Sequence, residues 1–244
     1  MDIPDLPLMD DLWGRIALDA SRDPEVTYDI RRDDGFLDAD LSPAESELSR
    51  EVPPERAEVL AFAHGRVLDL GCGPGRYLLW LQERGLEVVG IDASPGALQV
   101  ARERGAREVR LMPIDGIDFA PASFDTALFM GNTLGVGGGI AIVAERLARL
   151  HPMIRPGGCL ITDVKEPGAT ERAVHKAYHA ARRREGRYPG ELRIRLEYAG
   201  HATPWFDFTL VNAESVSQAA AETGWQMREE FGSPQLGVVI LTRK

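Results

Sequence analysis

Cysteine is scarce in this chain, with two among 244 residues. Cys72 and Cys159 sit in apolar segments, with neither metal-ligand spacing nor a pairing pattern. That excludes a disulfide scaffold and a thiolate metal site, and it suits a reduced, cytoplasmic protein. Basic charge is also in short supply. Lys and Arg total 28 against 38 Asp and Glu, a formal net charge of −10. Such a balance argues against a broad nucleic-acid or anionic-membrane surface. The first residues, Met1 to Asp5, are acidic and lead into no sustained apolar run. No signal peptide, membrane span, internal repeat or low-complexity tract is expected.

What is present centres on Val67-Leu68-Asp69-Leu70-Gly71-Cys72-Gly73-Pro74-Gly75-Arg76-Tyr77. An apolar run holding one acid ends in three glycines at alternate positions, and a helical pattern follows (Tyr77-Leu78-Leu79-Trp80-Leu81). This reads as a buried strand, a tight turn and a helix start, the opening unit of an open α/β sheet. Glycines suit a turn whose backbone takes positive φ and passes close to a ligand. A dinucleotide fingerprint has its third glycine where this chain has Arg76, so a nicotinamide site is disfavoured.

The run D-L-G-C-G-P-G resembles the cofactor turn of the class I S-adenosylmethionine-dependent methyltransferases. The resemblance implies a Rossmann-like α/β fold, with a seven-stranded, mostly parallel sheet and helices on both faces. The last strand would insert antiparallel between strands five and six. It also implies S-adenosylmethionine as cofactor, with Asp69, Gly71, Cys72, Gly73 and Gly75 beneath its methionine part.

Further along, Glu87-Val88-Val89-Gly90-Ile91-Asp92 is an apolar run ending in an acid, and Ala93-Ser94-Pro95 opens a helix. An ionised carboxylate there suits acceptance from two ribose hydroxyls. Glu108 to Met112 predicts a third strand. In its exit loop the resemblance assigns an acid to the adenine amino group: Asp115, flanked by Gly116, Ile117 and Met112, with Asp118 as competitor. The fourth strand, Ser123 to Met130, leads into Gly131 and Asn132, a loop facing cofactor and substrate. Asn132 there orients substrate, contacts the methionine end of the cofactor, or only stabilises its loop. That loop lacks the Asn/Asp-Pro-Pro-aromatic motif of nucleic-acid amino-methyltransferases and the Pro-Cys nucleophile of pyrimidine C5 methylation. A helix over 140–150 and the phrase Arg155-Pro156-Gly157-Gly158-Cys159-Leu160 lead into the fifth strand, again resembling the family.

Two regions flank this core. Residues 1–64 read as a helical segment and lid, with helices over 9–21, from Ser42-Pro43-Ala44-Glu45, and over 55–63, and an extended stretch at 26–30. Tyr28 either touches the cofactor or only packs. Within the methyltransferase domain, 65–244, residues 165–211 form an insertion: a helix over about 170–184, then alternating strands at 192–198 and 205–211 that suggest a hairpin. Leaving the ligand side of the sheet, it would carry the substrate-side residues Tyr178, His179, Arg183 and Trp205. The A-Y-H, P-W-F-D-F and T-G-W phrases also resemble a broad bacterial group of small methyltransferases without a defined substrate.

The expected activity is methyl transfer to a small-molecule acceptor by in-line displacement, with alignment as the protein's main contribution. No metal is required. His175, His179, His201 and Asp207 are the candidate bases. A protein or RNA methyltransferase and a catalytically silent cofactor-binding module are the alternatives. Acceptor atom and oligomeric state are not encoded in any motif.

Overall fold

The computed structural model describes residues 11–244. Met9 and Asp10, with which the first expected helix would open, and the acidic residues 1–5 lie outside that range. In chain order the elements are α1 (Leu12–Arg22), β1 (Tyr28–Arg32), β2 (Leu37–Leu41), α2 (Pro54–Leu60), β3 (Arg66–Leu70), α3 (Arg76–Glu83), β4 (Glu87–Asp92), α4 (Pro95–Glu103) and β5 (Val109–Leu111). There follow β6 (Phe124–Phe129), α5 (Ile142–Leu150), β7 (Ile154–Val164), α6 (Ala173–Arg184), β8 (Glu191–Tyr198), β9 (His201–Ala202), β10 (Phe206–Thr209), α7 (Ala213–Glu222), β11 (Trp225–Ser233) and β12 (Leu236–Arg243).

Seven strands form the main sheet in the order β11-β12-β7-β6-β3-β4-β5. β3 pairs in parallel with β4 and β6, and β12 lies antiparallel between β7 and β11. The expected strand order and orientation are thus realised. Parallel strands covered on both faces need apolar residues at consecutive positions. Successive residues here divide between two cores. Leu68, Leu160, Val239 and Leu241 face α5 and α7, whereas Val67, Ile161, Val238 and Ile240 face α2, α3 and α4. A two-residue period sorts them, as the pleat requires.

The flanking regions build a second sheet, in the order β10-β8-β1-β2, with β9 on β8. The N-terminal strands and the strands after β7 therefore complete one another, a long-range pairing that neither stretch announces alone. Register defines its two faces. Ile30 lies opposite Leu196, Arg32 opposite Ile194, Phe206 opposite Ile194 and Phe208 opposite Leu192. All seven share one side. The other side carries Asp29 opposite Glu197, Arg31 opposite Arg195 and Asp207 opposite Arg193. Glu197 there accepts from Arg31 and Arg195, which holds its carboxyl down at about 2.

The helix expected from Ser42 is absent. Ser42 Oγ does accept from the Glu45 N–H at 3.3 Å, but residues 43–48 form turns instead. The cap interaction forms without a helix behind it, since a first helical turn fixes several residues for a single hydrogen bond. α1 is anchored on α4. Asp11 caps α1 through Gly14 and also accepts from the Gly96 N–H at 2.8 Å. A Cβ at Gly96 would come within 2.7 Å of the Gly14 backbone, so the two helices touch only because glycines meet there.

Candidate functional site

A cavity of about 1280 Å³ lies between the carboxyl ends of the main-sheet strands and the apolar face of the second sheet. Pockets for one small ligand run to about 300–1,000 Å³, so this space can take two molecules side by side.

The floor comes from the main sheet. The glycine turn crosses it with Gly71 and Gly73 at positive φ, and a Cβ at Gly71 would lie 2.7 Å from Thr133 Cγ2. Asp69, 2% exposed, borders this region and has one carboxylate oxygen, Oδ2, buried with no hydrogen-bond partner among the described residues. Burial and the nearby Asp92 push its carboxyl up to about 7. Asp92 accepts from the Gly73 N–H through Oδ2 and the Ser94 N–H through Oδ1, each at 2.8 Å, and burial raises its pKa as well. Each oxygen keeps a free acceptor site, because a carboxylate offers about four.

Gly75 caps α3 with no side-chain hydrogen bond, and the Leu78 N–H of the first turn is directed to the Asp69 carboxylate. Arg76, the first residue of α3, lines the cavity with Nε buried and unpartnered, while Nη2 donates to the Glu51 carbonyl at 2.7 Å. At the far wall Arg146 donates to both oxygens of Asp115, at 2.9 and 3.0 Å, which lowers that carboxyl. The Gly131–Asn132 turn is held from below. Both N–H groups donate to Asp163, itself in a buried ion pair with Arg56 of α2.

Of the residues singled out in the sequence, Asp69, Gly71, Cys72, Gly73, Asp92, Ala93, Asp115, Gly131, Asn132, Tyr28 and His179 line the cavity. Several others do not. Gly75 faces α4, where a Cβ would meet Ala101 and Leu79, and serves as helix cap. Ile117 is 4% exposed in the main core, and Gly116 and Met112 also lie off the cavity. Pro113 and Ile114 occupy the rim they were expected to form. Asp118 is exposed away from it, which leaves Asp115 as the acid in place.

On the substrate side the correction is larger. Trp205 lies outside the cavity under the Arg195 guanidinium, 4.8 Å from its ring centroid, because strand alternation turns Phe206 and Phe208 inward. Tyr178 is buried against β1; its hydroxyl donates to Asp33 at 2.7 Å, and Arg32 lies 4.1 Å above its ring. Arg183 is exposed beyond the wall. Neither His201 nor Asp207 lines the cavity; His201 is exposed and Asp207 lies 3.6 Å from Arg193. His175 and His179, one turn apart on α6, both face the cavity. Burial lowers the pKa of each.

Arg56, Arg146 and Asp163 carried no motif and were missed. Phe206 and Phe208 could have been found by asking which phase of W-F-D-F continues the apolar phase of 192–196.

Comparison with known proteins is consistent with this geometry. Residues 67–158 match the methyltransferase domain family. The malonyl-[acyl-carrier protein] O-methyltransferase of Salmonella typhimurium is 38% identical over 93 residues, 38% of this chain and 36% of that one. The trans-aconitate 2-methyltransferase of Methylobacterium nodulans is 36% identical over 122 residues, 49% and 45% of the two chains. The chain thus matches less than half the length of these relatives. A Bacteroides fragilis methyltransferase solved with S-adenosylhomocysteine superposes over 100% of this chain and 99% of its own, with TM-score 0.80 and 26% identity. A Methanosarcina mazei methyltransferase structure, 16% identical with TM-score 0.64, covers 79% of this chain and shares the fold.

Proposed function

We propose, for a chain that belongs to the class I S-adenosylmethionine-dependent methyltransferases, that it transfers the methyl group to a small molecule held beneath the second sheet. One observation carries the reading. A single cavity runs from two buried carboxylates at a glycine turn to an apolar wall built by separate strands.

The floor fits the cofactor's chemistry. Asp92 has one acceptor site left on each oxygen, suited to two ribose hydroxyls. Asp69 keeps one buried carboxylate oxygen without a partner, and a bound ammonium would restore its ionised form. Arg76, a cation lining the cavity at the start of α3, suits a carboxylate. Asp115, kept ionised by Arg146, can accept from an exocyclic amine at the rim. When bound, S-adenosylmethionine supplies a methyl group on positively charged sulfur, so no protein acid is needed for its departure.

The protein's share is then orientation and exclusion of water. Ile30, Ile194, Phe206 and Phe208 face the floor across the cavity and would press an acceptor towards it. Holding two reactants at near-attack distance can lower a barrier by about 7–11 kcal/mol. The acidic net charge and the lack of nucleic-acid methylation motifs favour a small acceptor over RNA.

Incubating the full chain with methyl-labelled S-adenosylmethionine and a metabolite library tests the reading. Label should pass to one or a few small molecules. Transfer only to protein or RNA fractions would replace the acceptor class, and no transfer with intact cofactor binding would favour a silent module.

A further inference from the structure

His179 stands apart among the groups that line the cavity. It is 4% exposed, fixed on α6, and its Nδ1 lies 2.7 Å from the carbonyl oxygen of Pro189. A carbonyl only accepts, so Nδ1 must carry the proton and donate. Nε2 is then left as a bare lone pair, with no partner among the described residues, on a side chain that lines the cavity. The same cavity is lined by apolar side chains of the second sheet, with Ile194, Phe206 and Phe208 in register on one face.

We propose that the acceptor is an apolar molecule bearing an acidic hydroxyl, a phenol or enol, and that Nε2 of His179 takes its proton. This rests on the methyltransferase reading above and adds the substrate class. In the step, the O–H bond breaks as an N–H bond forms at Nε2. The oxygen's electron pair forms the bond to the methyl carbon, while the carbon–sulfur pair stays with sulfur. The imidazolium then returns its proton to solvent.

The other acceptor classes fit less well. A carboxylate acceptor needs no base and would seek a buried cation, but Arg32 is already held by both oxygens of Asp34 at 2.8 and 2.7 Å, and Lys165 and Arg172, which also line the cavity, are exposed to solvent. An amine acceptor in its neutral form already offers a lone pair, so it would not use the bare Nε2 before the transfer. An aliphatic alcohol is too weakly acidic for an imidazole, whereas a phenol ionises at about 10.

His179 should remain neutral at pH 7. Burial lowers its pKa first; Arg32 of β1 and Arg183 of α6 act in the same direction. Glu166, after β7, and the Pro189 carbonyl oppose them. Tyr178 lies 6.3 Å away, ring to ring, and His175 is one turn distant.

The probe is 4-nitrophenol, whose phenolate absorbs in the visible, added to the full chain with S-adenosylhomocysteine below the probe's own titration midpoint. Wild type should bind it and raise the phenolate band. His179→Gln should bind it within a few-fold yet lose at least about tenfold of that rise. Methyl transfer to the probe should fall about 10²–10⁴-fold in kcat with KM within a few-fold. Nitrogen-15 spectra of the wild-type histidines should show His179 protonated at Nδ1 and bare at Nε2, whether or not the variant folds. The proposal is overturned by Nε2 protonation at pH 7, by an undiminished phenolate band in His179→Gln, or by no probe binding while S-adenosylhomocysteine binds. Failure of S-adenosylhomocysteine itself to bind would instead remove the methyltransferase reading.

Discussion

Arg146 on α5 grips Asp115 across the cavity rim through two parallel N–H···O bonds of 2.9 and 3.0 Å. The same guanidinium donates to the carbonyls of Thr133 and Leu134, so one buried side chain ties the loop after β5 to the loop after β6. Two-pronged pairs of this kind fix direction as well as distance. Asp115 is therefore aimed as well as ionised. In Arg146→Met both prongs vanish and the carboxylate is free to turn to solvent. Affinity for S-adenosylhomocysteine should fall about tenfold, on the scale of one bond to a charged group, about 1.5–3 kcal/mol. Calorimetry on the folded variant measures it, and unchanged affinity would remove Asp115 from the cofactor site.

Asp92→Ala removes two acceptor sites proposed for ribose hydroxyls. At about 1.5–3 kcal/mol for each bond to a charged group, affinity should drop at least about tenfold. Circular dichroism should stay native, since the Gly73 and Ser94 N–H groups border a cavity that water can enter.

Asp69 makes a pH prediction. Its carboxyl is held at about 7 in the folded protein, against an ordinary value of 3.8. Between those values the folded state keeps a proton that the unfolded chain has lost. This group's contribution therefore destabilises the free protein progressively as pH rises from about 4 to about 7 and levels off above. A cofactor ammonium beside it favours the ionised form, so S-adenosylhomocysteine affinity should rise with pH up to about 7. Asp69→Asn should flatten both trends. Equal slopes in wild type and variant would show that the ammonium lies elsewhere.

The ion pair of Arg56 with Asp163 is buried on both sides, at 9% and 6% side-chain exposure. Arg56→Met leaves Asp163 charged and unpaired, which costs about 3–5 kcal/mol in comparable sites. Urea unfolding should show a loss of that size. A loss below about 1 kcal/mol would mean that the Gly131 and Asn132 N–H groups suffice to hold the carboxylate.

Trp205, just before β10, and Phe206, its first residue, are neighbours turned to opposite sides. Trp205→Ala should lower the melting temperature slightly through loss of the Arg195 stacking, with turnover in the folded fraction unchanged. Phe206→Ala should lower turnover on the acceptor while cofactor affinity stays within a few-fold. The reverse pattern would invert the assignment of the sheet's faces.

The main sheet was legible because its signals are local: apolar runs, a glycine turn, and acids at strand ends. Asp69 and Asp92 stand out by their place at strand ends, whereas Asp115 comes from the resemblance, with Asp118 beside it. The second sheet was not, because β1 finds its partner more than 150 residues away in β8, and pairing across that distance leaves no periodic trace in either strand. Trp205 misled for a related reason. Size made it conspicuous, whereas the register with Ile194 decides that Phe206 faces inward. Ion-pair partners such as Arg146 and Arg56 are invisible for the same cause, since an arginine on a helix looks solvated until the opposite carboxylate is known. The Ser42 cap shows the converse, a local signal that forms without the helix it announces.

The most direct test of the account is calorimetric titration of the wild-type chain with S-adenosylmethionine, S-adenosylhomocysteine and NAD. The account predicts saturable one-to-one binding of the first two and much weaker binding of the dinucleotide, because Arg76 stands where a dinucleotide turn has glycine. Tight NAD binding, with neither S-adenosyl compound bound, would contradict it.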